Sequence, residues 1–348
     1  MATVNPIMMD DGQVLVFGGS GYAGLELLRW LTRHPLRLRG VSSLRWVDRP
    51  VRDVVPVART GWRFISHADL LRRAEANDVA LLATPAETSL QLTPALLARG
   101  VAVVDLSGAF RLEANQYPDW YGFEHPEPAL LAEAKYGMVD LFPWSQAPRL
   151  VANPGCYATA AILSLAPLLQ AGVIDGPIMA DGKSGTTGAG RKAEERLLFS
   201  EVSENLSAYR VGHHQHTPEI EMALARYSGR PIRVHFVPHL VPMQRGLLVT
   251  SYARSSSVEG APNQVLRSAF EASSTVQVVD AAPGTGPVRG TPFVRLHAQR
   301  DARTGTVTAF GALDNLVKGA AGQAIENLNL LKGLPRGTGL VRNQERSP

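Results

Sequence analysis

The chain has 348 residues, enough for about two domains. Apolar residues make up 45% and charged residues 19%, a balance that builds buried cores and excludes a wholly disordered chain. The 35 Lys and Arg against 31 Asp and Glu leave a formal charge of +4, scattered along the chain, which implies no nucleic-acid surface, and the single cysteine excludes a disulfide framework or a cysteine-rich zinc site.

Residues 1–12 show no basic region followed by an apolar run, so no export signal is read there. Residues 13–17 (QVLVF) are a short apolar run that ends in glycines, the pattern of a buried parallel strand. Gly18, Gly21 and Gly24 follow at three-residue spacing, with Ser20, Tyr22 and Ala23 among them. Residues 25–31 then have the apolar spacing of a helix, which His34-Pro35 ends. Glycines at such a turn allow a tight bend and the close approach of a pyrophosphate, and the helix N-terminus offers it N–H groups and a positive dipole end. Taken alone, an ordinary glycine turn would look the same. Residues 38–42 read as a second strand. An NAD enzyme often carries an acidic residue at its end; Ser42, Ser43 and Arg45 stand there instead and suit a 2′-phosphate, so NADP is expected. Strands at 79–83 and 101–106 flank a helix at 87–99. This alternation predicts an α/β domain with a doubly wound parallel sheet of Rossmann type. Ser107 and Arg111 follow a strand end, where ligands collect in such sheets; Arg111 could grip an anion or be a solvated cation.

From about residue 155 the texture changes. The uncharged stretch 150–174 contains Asn153, Pro154, Gly155, Pro167 and Gln170, so it reads as a loop and a buried helix at 158–170, not a membrane span. Strands follow at 178–181, 232–237, 247–253, 276–279, 294–298 and 307–313, with few helices between them, which predicts a second, α+β domain. A last helix is expected from 318 to 332, and the tail 336–348 is expected to fray.

Three segments carry chemistry. Cys156 follows Pro154-Gly155, which places its thiol at or near a helix N-terminus, where the dipole favours a nucleophilic thiolate; a lone cysteine can equally be a small buried apolar residue. Residues 211–220 hold His213, His214 and His216, with no H-E-x-x-H pattern and no cysteine pair to suggest a metal. Thr217 as N-cap and Pro218 at the first helical position would put these histidines on a loop, where His214 or His216 could serve a thiolate as acid or base. Residues 183–192 (KSGTTGAGRK) are a second glycine-rich segment whose N–H groups could cradle a phosphate, or form a flexible basic loop.

Together the segments FGGSGYAGLELLR (17–29), DLSGAFRL (105–112), ANPGCYATA (152–160), DGKSGTTGAGR (181–191), SENLSAYRVGHHQHTPEIE (203–221), FVPHLVPMQRG (236–246) and LDNLVKGAAGQAIENLN (313–329) resemble the N-acetyl-gamma-glutamyl-phosphate reductases, within the aspartate-semialdehyde dehydrogenase-like group. They keep their order over nearly the whole chain. The resemblance implies an NADPH-dependent reduction of an acyl phosphate to an aldehyde in arginine biosynthesis. It implies Cys156 as nucleophile, His214 as acid/base residue and His216 close by. Ser107, Arg111, Asn153, Lys183 and Arg191 would hold the substrate, Ser184 and Gly185 the cofactor, and Asn315 would approach the nicotinamide. The cofactor domain would comprise 1–154 plus 317–348, and the catalytic and oligomerisation domain 155–316. A homodimer or homotetramer in the cytoplasm follows, with no nucleic acid, membrane or metal. The family usually reads H-R-H where this chain has Gln215, and residues 44–65 depart from its pattern. A related reductase, acting on aminoadipyl phosphate held by an acidic carrier protein in lysine biosynthesis, is the nearest rival. An idle NADP-binding regulator would leave Cys156 and the histidines unexplained, and a cysteine hydrolase would need no dinucleotide.

Overall fold

The computed structural model describes residues 12–256 and 261–341. The export-signal and frayed-tail readings above fall wholly or partly outside them. In chain order the first half runs β1 (Val14–Phe17), α1 (Tyr22–Leu31), β2 (Leu38–Ser42), β3 (Phe64–Ile65), α2 (His67–Arg73), β4 (Val79–Leu82), α3 (Ala86–Ala98), β5 (Ala102–Asp105), α4 (Tyr117–Tyr121), α5 (Pro128–Glu133), β6 (Lys135–Tyr136) and β7 (Leu150–Ala152). The second half runs α6 (Cys156–Gln170), β8 (Ile174–Ser184), α7 (Phe199–Val202), β9 (Ser207–Ala208), α8 (His216–Ser228), β10 (Val234–Leu240), β11 (Leu247–Ser255), α9 (Pro262–Phe270), β12 (Val276–Val278), β13 (Val294–Asp301), β14 (Thr306–Leu313) and α10 (Gly322–Leu331).

The chain divides into two compact units: residues 12–115, 124–154 and 320–341 form one, and 116–123 with 155–319 the other. In the first unit seven strands lie in the order β3-β2-β1-β4-β5-β7-β6, all parallel. Strands β1, β4 and β5 are buried along their whole length, which is why they read as unbroken apolar runs rather than alternating ones. The strand order reverses between β1 and β4, so ligands are expected beyond the carboxyl ends of these two strands.

The second unit is a mixed sheet in the order β12-β13-β14-β11-β8-β10-β9. Helix α6 packs on one face and is buried from Tyr157 to Leu169. Its Thr159 and Ile162 are indifferent helix formers. Burying each of its leucines contributes about 1.5–3 kcal/mol, so packing rather than propensity sets this helix. Two strand glycines let it approach: a Cβ on Gly182 would stand 2.5 Å from the Tyr157 ring, and one on Gly311 2.5 Å from the Ala160 carbonyl oxygen. Strand alternation then places Gly182 and Ser184 toward α6, and Met179, Asp181 and Lys183 on the opposite face.

Several boundaries differ from the sequence reading. Helix α6 starts at Cys156, two residues early, because Gly155 takes the N-cap position with extended backbone. The strand expected at 178–181 runs from 174 to 184, so Lys183 and Ser184 belong to a strand and not to the glycine loop. The helix expected from 318 begins as a π-helical turn, Val317–Ala321, before α10 proper. Among the described residues no helix is long and apolar enough to cross a membrane.

Candidate functional site

The glycine turn follows β1. Gly18 has φ of +76°, and a Cβ there would meet the Ala83 carbonyl oxygen at 2.4 Å. A Cβ on Gly24 would stand 2.4 Å from the Gly18 carbonyl oxygen. Both glycines are therefore demanded by the protein itself. Gly21 is different. It N-caps α1 with φ of −73°, brings no capping side chain, and its Cβ position is 3.5 Å from the nearest protein atom considered. The first turn of α1, which includes Tyr22, Ala23 and Gly24, has no acidic residue to answer the positive end of the helix dipole.

The serines at the end of β2 act through their neighbours. Ser43 donates to the Ser20 hydroxyl at 2.9 Å and accepts the Arg45 and Trp46 N–H groups at 3.1 Å, fixing the chain beyond the strand. The Ser42 hydroxyl meets His67 Nδ1 at 2.8 Å. Arg45 is exposed. Farther along the same sheet edge, Ser107 donates to Asp105 at 2.7 Å. Arg111 is buried rather than solvated: its guanidinium donates to the Asn153 and Leu106 carbonyls at 2.9 and 2.8 Å. Asn153 accepts from Asn327 at 3.0 Å. Arg111 and Asn153 thus knit together the loops that follow β5 and β7.

In the second unit Cys156 is the first residue of α6 and is half-buried. Gly319, in the π-helical turn, lies against it: a Cβ there would stand 2.7 Å from the Cys156 Cβ. The expected Thr217 cap is corrected by the structure. Helix α8 starts at His216, Gln215 occupies the N-cap, and Thr217 lies inside the first turn. His214 is therefore on the preceding turn and His216 on the helix. The Tyr157 ring meets both imidazoles edge-on, with centroids at 5.7 and 6.0 Å, and the two imidazoles are 4.9 Å apart. Tyr209 and Phe236 close on His214 at 5.6 and 5.4 Å.

Burial, and next the neighbouring His216, push His214 down to about 2, so its ring is neutral. Its Nδ1 accepts the His216 N–H at 3.2 Å, which assigns the ring proton to Nε2. Burial raises both Tyr157 and Tyr209, so these phenols stay protonated. Glu219 was not singled out in the sequence. It is fully buried, accepts the Gly155 N–H at 2.8 Å, and its other oxygen is 3.9 Å from His216 Nε2. One carboxylate thus ties the start of α6 to the histidine helix. Its spacing of three from His216 was the available signal, since i and i+3 share a helix face. Tyr209 had no such signal, and Gly319 only a run of small residues.

The second glycine segment folds as a short 3-10 turn, Thr186–Ala189. Asn315 binds it: Nδ2 donates to the Thr187 hydroxyl at 2.9 Å while Oδ1 accepts the Gly246 N–H at 2.9 Å. Gly185 packs so closely on Gln244 that a Cβ would stand 2.8 Å from its backbone. Ser184 is a hydrogen-bonding partner of the Tyr157 hydroxyl. Asp314, fully buried, accepts from Arg245 at 3.0 Å and from the Gly290 and Leu316 N–H groups at 2.7 and 2.9 Å, which fixes the chain leading to Gly319. Cys156, His214, His216, Ser184, Gly185 and Asn315 are thus linked through Tyr157, Glu219 and this chain. Lys183 is not: it pairs with Asp181 at 2.9 Å on the sheet face opposite α6. Arg191 lies exposed beyond the 3-10 turn. Among the described residues no three His, Cys, Asp or Glu side chains gather as metal ligands.

The semialdehyde dehydrogenase NAD-binding domain matches residues 13–148 and the semialdehyde dehydrogenase dimerisation domain 156–315. The N-acetyl-gamma-glutamyl-phosphate reductase of Thiobacillus denitrificans is 43% identical over 94% of this chain and 97% of its own. That of Thermus thermophilus is 44% identical over 94% and 98%. Among solved structures, aspartate semialdehyde dehydrogenase II of Vibrio cholerae superposes with a TM-score of 0.72 at 17% identity, covering 92% of this chain and 98% of its own. The Candida albicans aspartate semialdehyde dehydrogenase, solved with NADP, gives 0.66 at 14%, covering 92% and 98%.

Proposed function

The chain belongs to the N-acetyl-gamma-glutamyl-phosphate reductases, and from that premise we propose how its own residues carry out the reaction. The enzyme reduces N-acetyl-gamma-glutamyl phosphate, with NADPH, to N-acetylglutamate semialdehyde and phosphate, in arginine biosynthesis. The relatives named above give the carrier-bound lysine reading no support.

NADPH supplies the hydride when bound. The uncapped α1 N-terminus and the open space at Gly21 suit its pyrophosphate. Ser20 and Ser43 shape the turn beside it, and Arg45, exposed just past a strand end that carries serines in place of an acidic residue, suits a 2′-phosphate.

The observation that carries the reading is Cys156 at the first position of α6, half-buried against Gly319, with the next residue, Tyr157, packed on both imidazoles. A helix N-terminus favours the thiolate. The buried Glu219 carboxylate at the same end opposes it, unless a positive charge on His216 offsets that carboxylate. We therefore give His216 the role of accepting the thiol proton. Sulfur attacks the acyl carbon, the C–S bond forms, and the bond to phosphate oxygen breaks with phosphate leaving. Hydride addition turns the thioester into a thiohemiacetal, which collapses to aldehyde and thiolate. Neutral His214 would present its Nε2–H to the oxyanion at both stages, a donor that needs no charge of its own. The thiol proton thus goes to His216, whereas the resemblance implied His214 as the acid/base residue. Arg111 and Asn153 hold the loops that follow β5 and β7, and Ser107, on the first of these, would bind substrate. Ser184, Gly185 and Asn315 keep the second glycine turn in place for phosphate or nicotinamide.

The face of the mixed sheet opposite α6 leaves Met179 and Tyr252 paired and exposed, and we assign it to a second copy in a homodimer or homotetramer. A cytoplasmic setting would keep the lone thiol reduced. Steady-state kinetics test the reading: Cys156→Ser should still quench or shift NADPH fluorescence on binding yet lose at least about a thousandfold in turnover. Retained turnover in that variant would sink it.

A further inference from the structure

One cation beside the histidine pair has no role in the scheme so far. Arg210 opens the turn that leads into His214, and its carbonyl accepts the His213 N–H at 3.0 Å. Its φ of +46° lies in the left-handed region, which non-glycine residues occupy at a cost and which clusters at functional sites. The guanidinium is exposed, and Nη1 donates to Gln215 Oε1 at 2.8 Å. A neutral amide therefore aims it, where a cation at 215 would repel it. Among the described residues no carboxylate stands within ion-pairing distance of Arg210.

Three other cations of this unit are committed elsewhere. Arg196, over the Tyr209 ring, pairs with Glu194 at 2.8 Å. Arg245 pairs with Asp314, and Lys183 with Asp181 on the other sheet face. The Arg210 charge nonetheless reaches the site. It helps to hold His214 neutral, after burial and His216, and it acts on Tyr209 as well.

The substrate carries an anion at each end. Its phosphate sits on the carbon that Cys156 attacks. Its α-carboxylate lies at the other end of the side chain and needs a partner at the rim. We propose that Arg210 is a specificity-determining residue that binds this α-carboxylate, held ready by Gln215. The inference rests on the reaction assigned above and names how that reaction selects its acyl chain. A guanidinium offers a planar pair of N–H groups that a carboxylate fits, which a lysine can match only as a point charge.

The reverse reaction separates the two anions, because aldehyde and phosphate are then distinct substrates. With NADP, phosphate and N-acetylglutamate semialdehyde, Arg210→Gln should raise the KM of the aldehyde by roughly tenfold or more while leaving kcat and the KM of phosphate within about twofold. The decarboxylated analogue 4-acetamidobutanal should be used equally by both forms. Arg210→Lys should recover part of the lost affinity. An equal loss on the two aldehydes, a raised KM for phosphate, or a fall in kcat alone would overturn the inference. A wild-type enzyme inactive on the semialdehyde would instead overturn the assigned reaction, and this inference with it.

Discussion

Gly319→Ala is a one-methyl test of how tightly the π-helical turn presses on the nucleophile. The added Cβ would stand 2.7 Å from the Cys156 Cβ, 3.1 Å from Leu313 Cδ1 and 3.2 Å from the Cys156 Cα. Carbon atoms pack best at about 3.5–4.0 Å, so roughly 1 Å must be relieved. Leu313 and Cys156 are both held: Leu313 is fully buried at the end of β14, and Cys156 is fixed by the start of α6. The turn cannot retreat freely either, because Asp314 pins the chain before it to Arg245 and to the Gly290 N–H. Overpacking of this kind costs about 1–3 kcal/mol in stability. A displacement of about 1 Å at a reacting group costs on the order of a hundredfold in rate. Turnover followed by NADPH absorbance should therefore fall roughly a hundredfold, with the melting temperature lower by only a few degrees. The rate of Cys156 alkylation by iodoacetamide should change with it. Wild-type turnover and alkylation in Gly319→Ala would refute the placement of this turn against the sulfur.

Gly21→Ala should leave the melting temperature within about a degree, since the protein itself does not crowd that position, yet weaken NADPH binding about tenfold or more in a fluorescence titration. Unchanged NADPH affinity would remove the glycine turn from the cofactor site. Glu219→Gln keeps an acceptor for the Gly155 N–H but loses the charge beside His216. Its kcat should fall about tenfold to a hundredfold with a shifted pH profile and near-normal stability; an unaltered profile would remove Glu219 from the proton path. The pH dependence of folding has a definite sign. Burial holds His34, His67, His125 and His214 below their ordinary range in the folded chain. The unfolded chain thus binds more protons below about pH 6.5, and stability present above that pH is lost as it falls, most through the more deeply buried His34 and His214. Melting temperatures should drop between pH 7.5 and 5.5, and less steeply in His214→Phe. A flat profile would contradict the burial of these rings.

The strands of the first unit were legible because a parallel sheet covered on both faces leaves apolar runs that begin and end cleanly, as at Val14–Phe17 and Val79–Leu82. The glycine turn was legible for a related reason: Gly18 and Gly24 answer to backbone sterics that leave no other residue type. Short strands such as Phe64–Ile65 and Lys135–Tyr136 carry too few residues to show a period. The start of α8 was misread because Thr217-Pro218 fits a cap by residue type, whereas the chain caps at Gln215 to bring His216 into the first turn. Arg111 read as a surface cation or an anion grip because sequence shows a charge but not the carbonyls of Leu106 and Asn153 that receive it. The resemblance put Lys183 with the substrate, and only strand alternation reveals the face it occupies. Glu219, Tyr209 and Gly319 matter through partners distant in sequence, which no local pattern records.

The covalent step can be observed on the intact protein. Mixing the enzyme with N-acetyl-gamma-glutamyl phosphate in the absence of NADPH should add the mass of one N-acetylglutamyl group, located by peptide mapping on Cys156. Adding NADPH should then discharge it as the aldehyde. No adduct in an enzyme that turns over normally, or an adduct on any other residue, would contradict the account.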